Sequence, residues 1–139
     1  MERQHTFETE LNAVERQFRW RLPLAYRSFV LEGDGLDAEL HTPRRHLAPA
    51  RLAANREYAD FLLKASKADY ALHDADVVFL VHEGYQFWFF RCDDGDDPAV
   101  YRFSEGERRP TKVAPSLSAW FSTLRAGRCG HEPVAQYCF

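Results

Sequence analysis

The chain has 139 residues, 45% of them hydrophobic and 28% charged, with a formal net charge of −3 at pH 7. That balance fits one globular domain spanning 1–139 with a sizeable core, and it excludes a disordered chain. A small negative charge also excludes the strongly basic surface that direct nucleic-acid binding leaves.

The first periodic segment is Thr6–Arg19. Phe7, Leu11, Val14 and Phe18 fall at i, i+4, i+7 and i+11, on one helical face. Thr6 is expected to cap it, with Glu8 and Glu10 complementing the dipole in the first turn. Arg16, Arg19, Arg21 and Arg27 form a loose basic cluster there, read as a solvated helix face. Leu22-Pro23 interrupts the period, and Pro23 is expected to open a second helix at its first position. Leu22, Tyr26, Phe29 and Val30 would be its buried side, and Gly33-Asp34-Gly35 its stop. Leu36–Leu40 is expected as a short edge strand. Pro49 then starts a third helix running to Ser66, with Ala54, Tyr58, Phe61, Leu62 and Ala65 as the inward stripe.

After Asp76 the pattern changes to strands. Val77–Val81 reads as a buried strand, Glu83-Gly84 as a tight turn, and Tyr85–Cys92 as a second strand. Phe87-Trp88-Phe89-Phe90 is apolar at consecutive positions, so both faces of that strand should be covered and it should lie mid-sheet. Asp93–Pro98 is a turn with Asp94-Gly95 as its hairpin signal, followed by strands at Ala99–Phe103 and Thr111–Ala114. Ser116 should cap a last helix with Leu117, Trp120, Phe121 and Leu124 inward and Gly127 as its stop. The tail 128–139 has no period; docking on the body is the expectation for it. Helices, an antiparallel meander, then a helix make an α+β fold rather than a βαβ one.

These residues also resemble a known family. Leu22-Pro23-x-x-Tyr26-x-x-Phe29-Val30 followed by Gly33-Asp34-Gly35 is similar to the N-terminal signature of the SUKH superfamily, Smi/Knr type. The run Gly84–Phe90, the Asp-Gly turn, Asp97-Pro98-Ala99-Val100-Tyr101 and the helix Ser116–Leu124 resemble that family in the same order. The Pro49–Ser66 helix and the cysteine-containing tail depart from it. The resemblance implies an antiparallel sheet wrapped by helices, and a binding role without shared catalytic residues. Bacterial members are often immunity proteins that neutralise a toxin; fungal members are regulatory scaffolds.

The sharpest local feature is Asp93-Asp94-Gly95-Asp96-Asp97. Its four carboxylates account for more than the whole net charge: taking them from −3 leaves the other residues at +1. One reading is an acidic patch for a basic protein partner, such as a nuclease toxin, where charge complementarity speeds association. The other is a plain hairpin turn, whose preferred residues are Asp and Gly. Calcium is disfavoured because the ligand spacing does not match the EF-hand loop. Glu83 and Trp20 complete the candidate partner-binding set. Trp20 stands among arginines at the proline corner, whereas Trp88 and Trp120 lie in apolar runs and read as core.

No catalytic, cofactor or metal site is expected. Pairing Glu83 with Asp93 or Asp94 for acid–base work fails because they flank an eight-residue strand of about 25 Å. Cys129-Gly130-His131 with Cys138 lacks the second ligand pair of structural zinc, and no GxSxG, phosphate loop or HExxH occurs. Three cysteines are too few, and odd in number, for a disulfide framework. With a charged N-terminus lacking a signal-peptide pattern and no apolar run near ~20 residues, the expected location is the cytoplasm.

Overall fold

A computed structural model describes residues 2–32 and 48–125. Its first element, helix α1 (Glu2–Phe18), buries Leu11 and Val14 and packs Phe7 and Phe18 beside them. The helix begins four residues before Thr6, so Thr6 lies inside it and is not its cap. At the other end Arg19 adopts φ 58°, and the Trp20 amide donates to the Glu15 carbonyl at 3.0 Å. This is a Schellman-type stop with arginine at the left-handed position glycine usually takes.

Glu15 then sets the elbow. Its carboxylate accepts the Leu22 amide at 2.7 Å and pairs with Arg27 at 2.9 Å. Helix α2 (Leu24–Glu32) starts directly after Pro23, whose carbonyl accepts the first helical bond from Arg27 at 3.1 Å. Pro23 is therefore the residue just outside the helix, one position earlier than expected. Leu22, Tyr26, Phe29 and Val30 are all buried, as the spacing predicts. The expected Gly33–Gly35 stop and Leu36–Leu40 strand lie outside the described residues.

Pro49–Arg51 forms a 3-10 turn that leads into helix α3 (Leu52–Ala65). The expected inward stripe is corrected here. Leu52, Asn55, Ala59, Leu62 and Leu63 are buried, while Ala54 and Ala65 are exposed and Phe61 is 62% exposed. Two registers compete on this helix, and the winner includes a polar residue: the Asn55 side chain donates to the Val78 carbonyl at 3.2 Å. That bond lets Asn55 face the sheet without an unsatisfied amide.

Strands β1 (Asp76–His82), β2 (Gln86–Arg91), β3 (Val100–Ser104) and β4 (Thr111–Ala114) make one antiparallel sheet in the order β1-β2-β3-β4. Glu83 (φ 46°) and Gly84 (φ 80°) form the β1–β2 turn, with the Tyr85 amide on the His82 carbonyl. Positive φ at both central residues is the type I′ geometry that matches strand twist. Helix α4 (Leu117–Arg125) follows, capped by Ser116, whose hydroxyl accepts the Ala119 amide at 3.0 Å. Leu117 and Phe121 are buried and Trp120 packs edge-on to Phe79.

Side chains of β2 alternate between two cores. Trp88 and Phe90 join α1, α2 and α4 on one face of the sheet. Phe87 and Phe89 join Ala59, Leu62 and Leu63 of α3 on the other. The all-apolar run is thus explained by an interior strand with helices on both sides. This is the expected α+β architecture.

Candidate protein-binding surface

The acidic loop between β2 and β3 is exposed from Asp93 through Asp97, and Gly95 takes φ 79° at its tip. The loop is nonetheless fastened. The Asp96 carbonyl accepts the Ala25 amide at 3.0 Å, in the first turn of α2. One carboxylate oxygen of Asp97 accepts the Ser118 amide at 2.9 Å, in the first turn of α4. Helix starts leave amides without intrahelical partners, and here one loop satisfies one of them on each helix. The acidic segment therefore holds α2 and α4 side by side.

Between those helices lies an open groove of about 480 Å³. Phe29 and Phe121 stack at its floor, with ring centroids 3.7 Å apart. Leu24, 61% exposed, stands at its edge, and Asp96 and Asp97 close one end. Ser28 and Ser118 supply the remaining polar lining. No sequence period marks this groove, because Leu24 and Ser28 read as ordinary positions of an amphipathic helix. An exposed leucine beside Pro23 is the faint signal that precedes it.

The candidate residues do not gather at one place. Glu83 is exposed in the β1–β2 turn, at the opposite end of β2 from the aspartates. Asp93 faces away from the α2–α4 groove, into a second cavity of about 500 Å³ that it shares with Arg19, Arg21, Arg56, Asp74 and Cys92. Trp20 is corrected: it is 8% exposed, stacks on Phe18 at 4.3 Å and donates from its indole nitrogen to the Asp74 carbonyl at 2.6 Å. An indole so enclosed is part of the core and not an open anchor. Arg27 of the basic cluster is tied to Glu15, whereas Arg16, Arg19 and Arg21 are exposed.

Burial, followed by the neighbouring Asp93, pushes the Cys92 thiol up, which disfavours the thiolate a nucleophile needs. His82 is lowered by burial and sits at the far end of the sheet from Cys92. Asp76 is fully buried, but it is spent on structure: it accepts the Tyr70 hydroxyl and the His73 amide and pairs with Arg91 at 3.3 Å. Among the described residues no group of three or more His, Cys, Asp or Glu is placed to hold a metal ion. The tail residues Cys129, His131 and Cys138 lie outside those residues.

Neither curated proteins nor solved structures gave a match to the chain. The model of the SMI1 / KNR4 family (SUKH-1) matches residues 7–123, a range that holds β1–β4, α2 and α3 whole and most of α1 and α4, and the chain belongs to that family.

Proposed function

We propose that this chain is a non-catalytic protein-capture domain, and specifically an immunity protein that binds and neutralises a basic toxin in the cytoplasm. Membership of the SMI1 / KNR4 family supports a protein-interaction role. The observation that carries the finer reading is the exposed acidic loop held on two helix starts. A pre-fixed carboxylate array loses little conformational freedom on binding and steers a cationic partner towards it. A nuclease, whose own cleft must attract phosphates, presents the complementary charge. No helix among the described residues is long and apolar enough to cross a membrane.

Co-expression of the chain with the product of the adjacent gene tests this reading through growth rescue and pull-down. Rescue with a stable complex is expected; a toxic neighbour that is neither bound nor neutralised would defeat it. Within such a complex, Asp94→Asn with Asp96→Asn should slow association several-fold at low salt and flatten its salt dependence. Unchanged association kinetics would remove the loop from the interface.

A further inference from the structure

Resting on that capture reading, we infer that the α2–α4 groove is the seat for one segment of the protein partner, a segment carrying an arginine or lysine beside an aliphatic side chain. The groove has a one-signed rim. Among the described residues, Asp96 and Asp97 are its only charged lining, and both are acidic. Two helix N-termini meet there and oppose them, each worth roughly half a positive charge. Two carboxylates against two half-charges leave a net of about one negative charge at that end. Asp94 adds to it from the exposed loop, while Asp93 faces the arginine-lined cavity instead. Among the described residues, the Asp96 carboxylate forms no hydrogen bond or ion pair; only its backbone carbonyl is engaged. It is thus available to a cation from outside.

The apolar half of the site fixes the rest of the partner's chemistry. Leu24 is 61% exposed at the edge, and below it the stacked pair Phe29 and Phe121 makes a flat floor. A free small cation would leave Leu24 uncovered, and an anionic ligand would meet Asp96 and Asp97 head-on. An aliphatic side chain over Leu24 and the aromatic pair, with a guanidinium or ammonium reaching the loop, satisfies both halves. The volume of about 480 Å³ is in the range of pockets that enclose small ligands, enough for such a pair of side chains. The loop would then act twice, holding the groove open through Asp97 and the Asp96 carbonyl and reading charge through the Asp96 carboxylate.

Backbone-amide NMR on the full chain, titrated with the blocked peptides Arg-Leu-Leu-Arg and Glu-Leu-Leu-Glu, tests the inference directly. The arginine peptide should shift the amides of Ala25, Ser28, Phe29 and Ser118, and the glutamate peptide should not. Asp96→Asn keeps the backbone bond to α2 and should weaken the arginine peptide on the order of tenfold. Ser28→Trp should fill the groove and abolish the shifts, with Leu24→Ser as a second, surface variant that weakens them if the tryptophan disturbs folding. Shifts that map to the Glu83 turn or the Arg21 cavity, equal shifts from both peptides, or none at all would overturn the groove. A toxin captured equally by the native chain and by Ser28→Trp would also overturn it while leaving capture standing. Failure of the native chain to bind any adjacent toxin would instead defeat the capture reading, with the peptide titration still deciding the groove.

Discussion

Asp97 shows how a residue that looks like surface charge can be part of the frame. Its carboxylate is the acceptor for the Ser118 amide, while the Ser116 hydroxyl takes the Ala119 amide one position on. Replacing an N-terminal cap by alanine typically costs about 1 kcal/mol, and asparagine, which keeps the acceptor oxygen, costs far less. Asp97→Ala should therefore lower the denaturation midpoint measurably and Asp97→Asn should hardly move it; equal losses would mean that the charge, not the hydrogen bond, matters. A second polar residue acts below the sheet edge. Burial, followed by the hydrogen bond to Asp76, pushes the Tyr70 hydroxyl from 10.0 up to about 12. The fold thus favours the neutral phenol, so this contribution to stability is full below pH 10 and is lost as pH rises towards 12. Melting temperatures of the native chain should consequently fall more steeply across that window than those of Tyr70→Phe, and parallel slopes would contradict the assignment.

At the scale of elements, the sequence was most legible where its periodicity was unambiguous. Alternation at Tyr101–Phe103, the consecutive Phe87–Phe90 run and the Ser116 cap each admit one structural solution, and each strand or helix they mark is present. Helix α3 was legible as a helix but not as a face. Its sequence supports a stripe through Ala54, Tyr58, Phe61, Leu62 and Ala65 as well as the buried one through Leu52, Asn55, Ala59, Leu62 and Leu63. Local periodicity cannot choose between them; the sheet does, through Asn55 bonding to Val78. Leu63→Ala should accordingly cost about 2–5 kcal/mol, in line with other buried leucines, and Phe61→Ser well under 1 kcal/mol. The opposite order in urea unfolding would reinstate the aromatic face. The candidate site was half legible for the same reason. An aspartate run is visible in one dimension, but its fastening to α2 and α4, and the bond that holds the Trp20 indole to Asp74, depend on contacts distant in sequence.

For the molecule as a whole, the arrangement that matters is one sheet serving two cores. Phe90 packs with Tyr26 and Phe79 on the side of α1, α2 and α4. Its neighbour Phe89 packs with Tyr70 and Tyr101 on the side of α3. Both rings are fully buried, so neither face of β2 borders solvent. A sheet with one wet face would show alternating sensitivity along the strand, because truncating an outward side chain leaves no cavity. Here a cavity forms whichever ring is removed, and Phe89→Ala and Phe90→Ala should each cost about 3–5 kcal/mol. Because the two cores share the backbone of β2, loss of either should also unfold the other, giving one transition by tryptophan fluorescence and by far-ultraviolet circular dichroism. Two separated transitions, or a phenylalanine on one face that tolerates alanine, would show that the helix layers are energetically independent. A frame coupled in this way holds α2 and α4 at a fixed spacing, and that spacing is what the proposed capture of a partner segment requires of the groove between them.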